Sequence, residues 1–333
     1  HLPNRCAPPF VHASPCRAIS GNRDRSHLAM MFRAARRLVK RAFRAAGLEV
    51  RRRSRSATEP ELPRVFDDPL DALYYQQGGK PAAFACPLRD TRSRLGFCYG
   101  DDGWHPYVET LREYEAGACT SYDDSILRAY HETHQPASAA EALVGFDHAP
   151  RAFRNLPGHL CYLSPWTSST AEEIDEKVRS WVIGRNREHG HPWWDLASDG
   201  YSLHGPVSRR KGRTEYQRLV RLYETIKSED SDRSHRDVHF PILRRGQRYQ
   251  FLQWGAGSHR TAVMAALGHE TIPGVFRRPR RIIDVEHVDH WPQVRDGVWD
   301  RETARAYVEH LFRFDTQVWA QTKNLMLDAR ATA

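Results

Sequence analysis

The chain has 333 residues and a formal net charge of +9, and this length is enough for two domains with separate cores. No run of residues approaches the roughly 18 apolar positions that a membrane-spanning helix needs, so the sequence predicts no spanning segment. The charge is distributed unevenly: +3 in residues 1–29, +9 in 30–56, −10 in 57–199 and +7 in 200–333. Because the segment 57–199 is acidic, we do not expect a nucleic-acid duplex to wrap the whole protein.

Residues 1–29 show no helical or strand periodicity and lack the apolar stretch of a signal peptide. We interpret them as a disordered leader, and translation from Met30 or Met31 is one hypothesis that follows from this composition. The six cysteines are scattered and form no Cys-x-x-Cys pair. Together with the missing signal peptide, they predict buried thiols in a reducing, cytoplasmic environment.

Residues 30–56 predict a basic amphipathic helix, because apolar side chains recur there at helical spacing opposite a face of arginines. Two readings of residues 31–53 carry equal weight. The helix either lies on an anionic membrane surface or docks on the acidic segment 57–199. Nucleic acid is a third and less favoured partner.

The segment 57–199 is predicted to be an acidic, mostly helical domain that covers the segment after it. Its helix-like stretches are Asp71–Gln76, His105–Gly117, Ser121–His134 and Ala171–Arg187. Between them lie loops rich in glycine, proline and aromatic residues, at 96–107 and 189–194.

Metal binding is considered because several histidine pairs, such as His131 and His134, have spacings that a metal ion could use. None of these pairs belongs to a His-Glu-x-x-His pattern, and a chain with 18 histidines generates such pairs by chance. We therefore predict no metal site built by the protein.

The segment 249–273 predicts a strand, a glycine turn, a helix and a second extended stretch. Aromatic and apolar residues at its start are typical of a partly buried strand. Gly255 and Gly257 permit positive φ angles and a close approach of the backbone. Ser258 can cap the following helix, which runs through Thr261 and a series of strong helix formers.

A glycine turn that opens a helix is typical of an anion site. The first amides of the helix and the positive end of its dipole both attract negative charge. His259 and Arg260 lie in the first turn, and the arginine fork suits phosphate oxygens. The alternative is a structural corner in which the glycines only make the bend. We predict a phosphate or nucleotide site formed by Gly255, Gly257, Ser258, His259, Arg260 and Thr261.

The basic segment before this turn offers further phosphate ligands. Lys211 and Arg218 could close over the phosphates from the opposite side, or they could belong to a solvated basic loop. Hydrolysis or phosphoryl transfer would also need a carboxylate that positions the nucleophile or a magnesium ion. Glu215 is the first candidate for this catalytic role and Asp237 the second, and His259 is a candidate proton donor.

The run Gly257-Ser258-His259-Arg260, followed by Leu267-Gly268 and Ile272-Pro273, resembles the signature of the ParB/sulfiredoxin-like superfamily. The resemblance covers about residues 205–280. It implies an α/β module with a mixed sheet within residues 200–333. It also implies a nucleotide on the glycine turn, together with magnesium: the superfamily binds ATP in sulfiredoxins, CTP in ParB proteins, and ATP or ADP in related small kinases.

Sulfinic-acid reduction is not expected, because Ser258 stands where sulfiredoxins carry their catalytic cysteine. The leading hypothesis is a nucleotide-binding protein, with phosphoryl transfer or hydrolysis as an extension of it. The alternatives are a non-enzymatic ParB-like protein that binds nucleic acid or a partner, and an accessory protein on the membrane surface. The predicted location is the cytoplasm, with peripheral attachment to the inner face of the membrane if residues 31–53 bind lipid.

Overall fold

The computed structural model describes residues 63–228, 238–254, 257–276 and 282–326. The predicted basic helix at 31–53, Gly255 and Asp237 lie outside these residues. The described residues have a mixed α/β fold and belong to one compact unit. None of the described helices is long and apolar enough to cross a membrane.

The strands of the described residues are short, and we number them in chain order. They are β1 (Arg64–Phe66), β2 (Ala82–Pro87), β3 (Thr91–Ser93), β4 (Val238–Phe240), β5 (Ile242–Arg245), β6 (Arg248–Gln253), β7 (Thr271–Phe276) and β8 (Ile282–Asp284).

The α-helices of the described residues are numbered in the same way. They are α1 (Pro69–Gln77), α2 (Pro106–Glu115), α3 (Ile126–Thr133), α4 (Ala139–Ala142), α5 (Ala171–Glu188), α6 (Leu196–Asp199), α7 (Arg209–Ser228), α8 (Ser258–Ala266), α9 (Pro292–Arg295), α10 (Arg301–Arg313) and α11 (Thr316–Thr322). Short 3₁₀ segments occur at Leu88–Asp90, Tyr122–Asp124, Arg151–Asn155, Gly158–Tyr162 and Val285–His290.

The strands form two four-stranded mixed sheets, in the orders β1-β2-β7-β4 and β3-β6-β5-β8. In each sheet the central pair is antiparallel, and each outer strand runs parallel to its neighbour. Each sheet combines strands from both sides of residue 200. The segments 57–199 and 200–333 are therefore joined through shared sheets. The sequence does not predict β1, β2 and β3, because strands of three to six residues carry little periodicity.

Four phenylalanine rings pack the two sheets against each other. The ring centroid of Phe84 on β2 lies 5.6 Å from that of Phe251 on β6 and 4.9 Å from that of Phe276 on β7. Phe240 on β4 lies 6.2 Å from Phe251. Gly274 leaves room for this cluster, because a Cβ atom there would come within 2.6 Å of the Phe84 ring. The core between the sheets therefore depends on the packing of these aromatic rings and on the absence of a side chain at Gly274.

The predicted helices at Asp71–Gln76, His105–Gly117 and Ala171–Arg187 are confirmed by α1, α2 and α5. The stretch Ser121–His134 is confirmed in part, because a 3₁₀ segment at Tyr122–Asp124 precedes α3, which begins at Ile126. The predicted order of strand, turn, helix and strand is confirmed by β6, α8 and β7. The long helix before this unit is α7, which runs from Arg209 to Ser228. This helix packs against α8 and places its charged residues beside the start of α8.

The start of α8 differs from the prediction in one respect. Gly257, with φ 112° and ψ −4°, is the N-cap residue, and Ser258 is the first helical residue. The predicted capping role of Ser258 is therefore wrong, because the backbone enters the helix through a left-handed conformation that glycine adopts without strain. A Cβ atom at Gly257 would lie 2.9 Å from Cγ1 of Val238.

Replacement of Gly257 by alanine is expected to lower the free energy of unfolding by about 1–3 kcal/mol. The positive φ angle strains any residue with a Cβ atom, and the contact with Val238 adds to this strain. Urea denaturation measures the change, provided that the slope of the unfolding free energy against urea concentration is the same in both proteins.

The Gly184→Ala variant is the matched control for this experiment. Gly184 lies inside α5, and a Cβ atom there meets nothing within 4 Å. Helix propensity therefore predicts a gain of up to about 1 kcal/mol for this control. If Gly257→Ala were as stable as the wild type, the strain assigned to Gly257 would be refuted.

Candidate functional site

A buried charged cluster lies where α7 meets the first turn of α8. Both carboxylate oxygens of Glu215 accept from Nη1 of Arg218, at 3.0 and 3.1 Å. Nε2 of His259 lies 3.2 Å from Oε2 of Glu215, close enough for the imidazole to stabilise the ionised carboxylate. Glu215 is only 6% exposed, so its carboxylate depends on these partners for solvation.

Burial and neighbouring charges shift the pKa values of the residues in this cluster, and these shifts determine which side chains are charged at neutral pH. Burial alone would raise the pKa of Glu215, but His259, Arg218 and Arg185 together hold it well below its usual range. Burial lowers the pKa of His259, and Glu215 only partly opposes this effect. At neutral pH the cluster therefore contains an ionised carboxylate, a neutral imidazole and two guanidinium groups.

Stacked rings extend from His259 into the segment 96–107. His259 stacks on Tyr107 with the ring centroids 4.8 Å apart. The amide of Tyr107 donates to Nδ1 of His105, 3.1 Å away, where α2 begins. Tyr99 stacks on His105 at 4.1 Å. The aromatic loop noted in the sequence thus positions the imidazole of His259.

A small cavity, which we call the inner chamber, opens beside the first turn of α8. Its volume is about 40 Å³, enough for two or three water molecules or one small anionic group. Its lining is mostly aromatic, with a few polar side chains. The lining residues are Ser93, Arg94, Leu95, Phe97, Tyr99, His105, Pro106, Tyr107, Tyr130, Trp181, Leu203, Gln253 and Ser258.

A larger cavity, the outer chamber, shares Arg94 and Trp181 with the inner chamber. Its volume is about 480 Å³, within the range of small-molecule sites. Its lining combines five aromatic residues, four serine or threonine hydroxyl groups and two cationic side chains. The lining residues are Arg94, Tyr162, Ser164, Trp166, Thr167, Ser168, Ser169, Ile174, Lys177, Val178, Trp181, Tyr201, Pro241 and Trp254.

The residues predicted around the glycine turn have different positions in the structure. Ser258 lines the inner chamber, and His259 contacts Glu215. Arg260 lies in the first turn of α8. Thr261 is fully buried, and its hydroxyl donates to the carbonyl of Gly257 at 3.0 Å, so this side chain stabilises the helix start instead of facing a ligand. Gly255 lies outside the described residues.

The prediction of a solvated basic loop is wrong from Arg209 onwards, because these residues form the first turns of α7 and their side chains have partners within the protein. The ammonium group of Lys211 is buried and donates to the carbonyl of Gly200 at 2.6 Å. Arg209 donates to Asp123 at 2.6 Å, and Arg218 binds Glu215. Of these basic side chains, Arg218 is the one that belongs to the cluster at α8.

The described residues contain no group of three or more histidine, cysteine, aspartate or glutamate side chains that could hold a metal ion. Both oxygens of Glu215 already contact Arg218. The structure therefore places this carboxylate as a partner of cations. A magnesium ion at this site would be held mainly by ligand phosphates and water.

Sequence reasoning missed several residues of the site. Tyr107 and His105 could have been found, because a histidine followed by proline and an aromatic residue marks a helix start within an aromatic loop. No local sequence pattern marks the other missed residues, because packing between distant parts of the chain brings them to the site. They are Arg94, Trp166 and Arg185.

No protein-family model matches the chain, and no curated protein or solved structure matches it.

Buried neutral histidines are expected to make the protein less stable in acid. Burial and the neighbouring His259 lower the pKa of His105 to about 3, whereas an unfolded histidine has a pKa of about 6.5. Between these values the unfolded state binds more protons, so stability is lost as the pH falls below about 6.5. Burial also lowers the pKa of His131 to about 4 and that of His134 to about 3, with the same sign.

The His105→Asn variant tests this effect, because asparagine can still accept from the amide of Tyr107 but does not titrate. We expect the pH dependence of the unfolding free energy between pH 6 and 5 to decrease by up to about 1.4 kcal/mol per pH unit. Urea unfolding at several pH values measures it, with the exposed His148→Asn variant as the control for loss of a histidine. An unchanged slope in His105→Asn would refute the assigned shift.

Proposed function

We propose that the first turn of α8 binds the phosphate groups of a nucleotide, ATP or CTP, within a module of the ParB/sulfiredoxin type. The observation that carries this proposal is the surplus of positive charge where α8 begins. Arg218 is paired with Glu215, whereas the guanidinium group of Arg185 lies 4.9 Å from the ring of Trp181, which lines the inner chamber. The charge of Arg185 also lowers the pKa of both Glu215 and His259, so the cluster has more positive than negative charge. An anion is thus the ligand that best completes the cluster.

The backbone at the start of α8 supports the same ligand. Gly257 provides no side chain that could accept from the first amides of the helix. Ser258, the first helical residue, lines the inner chamber, which has room for one small anionic group. Helix amides, the helix dipole and a serine hydroxyl are common ligands of phosphate oxygens.

In this proposal His259 offers the phosphate groups a hydrogen bond but no positive charge. Its lowered pKa keeps the imidazole neutral near pH 7, and the contact with Glu215 and the stack on Tyr107 fix the orientation of its ring. Glu215 is a positioning residue and a counter-charge for Arg218. Because its oxygens contact cations, we do not extend the proposal to phosphoryl transfer or hydrolysis.

Binding is tested by thermal stabilisation of the full chain with ATP, CTP, GTP, ADP and inorganic tripolyphosphate, each with and without magnesium. A ligand at a hundredfold excess over its dissociation constant should add about 2.7 kcal/mol of stability. The Arg260→Ala variant, changed in the first turn of α8, should lose most of this shift.

The matched control is Arg305→Ala, which removes an exposed arginine on α10. It should keep the full shift. No stabilisation by any nucleotide or by tripolyphosphate would remove the proposed function, and an equal loss in both variants would show that the effect depends only on net charge.

The Glu215→Gln variant separates a counter-charge from a magnesium ligand. If Glu215 is a counter-charge, its neutralisation should strengthen tripolyphosphate binding roughly three- to tenfold without magnesium, because a negative charge near the anion is removed. The gain should shrink as salt is added. Weaker binding that appears only with magnesium would contradict this role and would favour direct coordination of the metal.

A further inference from the structure

The inner chamber is too small for the base and sugar of a nucleotide, and it shares Arg94 and Trp181 with the outer chamber. We infer that the outer chamber binds the planar ring of the ligand whose phosphates lie at α8, and that this ring stacks on Trp254. This inference rests on the proposed function and assigns the second half of the same site.

The aromatic wall of the outer chamber is held rigidly. Trp254 stacks on Trp166, with the ring centroids 5.4 Å apart and an angle of 20° between the planes. Trp166 is itself buried, at 5.3 Å from Trp291 and 6.2 Å from Tyr307. A wall fixed from behind offers a planar ligand a stacking surface with little loss of side-chain freedom.

The hydroxyl-bearing loop that contains Trp166 is also fixed. The side-chain amide of Gln293 donates to the carbonyls of Thr167 and Ser169, at 3.1 and 2.9 Å. The backbone amide of Gln293 donates to the carbonyl of Pro165 at 3.1 Å. These bonds fix the backbone of residues 165–169, so that the hydroxyl groups of the loop are already placed along the chamber before a sugar or phosphate binds.

The charge of the outer chamber favours an anionic ligand. Lys177 donates to the hydroxyl of Ser169 at 2.6 Å, and the guanidinium group of Arg94 lies 4.1 Å from the ring of Tyr162. The described residues that line the chamber include no aspartate or glutamate. Because the described lining carries two cations and no carboxylate, it attracts a ligand whose ring is attached to phosphate groups.

Most of this ring site comes from parts of the chain that the superfamily resemblance does not cover. Trp166, the loop at 165–169 and Lys177 all precede residue 205, whereas Trp254 follows β6. The two parts meet because β3 pairs with β6, which brings Arg94 against the carbonyl of Trp254. The ring site is therefore a feature of this chain's own assembly.

The experiment compares the affinities of ATP, CTP and GTP with that of inorganic tripolyphosphate, by calorimetry on the full chain at one magnesium concentration. If the outer chamber binds the ring, at least one nucleotide should bind more tightly than tripolyphosphate. The Trp254→Ala variant should then weaken that nucleotide at least about fivefold and leave tripolyphosphate unchanged.

Two comparisons keep the test decisive. The Trp193→Ala variant removes a tryptophan that is 63% exposed and lines neither chamber, and it should leave both affinities unchanged. The wild-type comparison needs no variant, so it holds even if Trp254→Ala fails to fold.

Each outcome decides the inference. Equal affinities for nucleotides and tripolyphosphate, or a nucleotide preference that survives Trp254→Ala, would overturn the ring site and leave the phosphate site standing. Failure of both nucleotides and tripolyphosphate to bind would overturn the proposed function and this inference with it.

Discussion

Burial of the Glu215 carboxylate is the constraint on which the centre of the molecule depends. A carboxylate removed from water is tolerated only when cations and hydrogen-bond donors replace its hydration shell. Here Arg218 lies on the same helix, but His259 belongs to α8. The partners of this one carboxylate therefore join α7 to α8, and the stack of His259 on Tyr107 adds α2 as a third helix.

The loops and helices of the segment 57–199 have a clear physical role in this arrangement. Their aromatic residues fill the space beside α8 and leave two chambers of different size and polarity. Tyr99, His105 and Tyr107 form a layered support that prevents the imidazole of His259 from turning. An aromatic support of this kind costs little conformational entropy, because each ring has only two rotatable side-chain bonds.

The parts of the fold that could be predicted from sequence are those set by local chemistry. The order of β6, α8 and β7 follows from an apolar run, two glycines and a series of helix formers. The identity of the N-cap could not be predicted, since serine is the commoner cap and the local sequence shows neither the positive φ of Gly257 nor its closeness to Val238.

Contacts between distant parts of the chain explain the rest of what sequence reasoning missed. The basic side chains near Lys211 suggested phosphate ligands, but Lys211 donates to the carbonyl of Gly200 and Arg209 donates to Asp123. The pairing of β2 with β7 joins residues almost two hundred positions apart. No local pattern encodes such a pairing, because loop closure and burial of the whole sheet decide it.

The bonds from Gln293 and Trp299 to the loop at 163–169 have a consequence for biosynthesis. The indole of Trp299 donates to the carbonyl of Leu163, and Gln293 secures the following residues. A growing chain exposes residues 163–169 long before the ribosome has made residue 299. Until that point the loop lacks its anchors, so the outer chamber takes its final shape only when nearly all of the chain has been synthesised. A nascent or C-terminally truncated chain is therefore left with an unfinished cavity, even though its glycine turn is already complete.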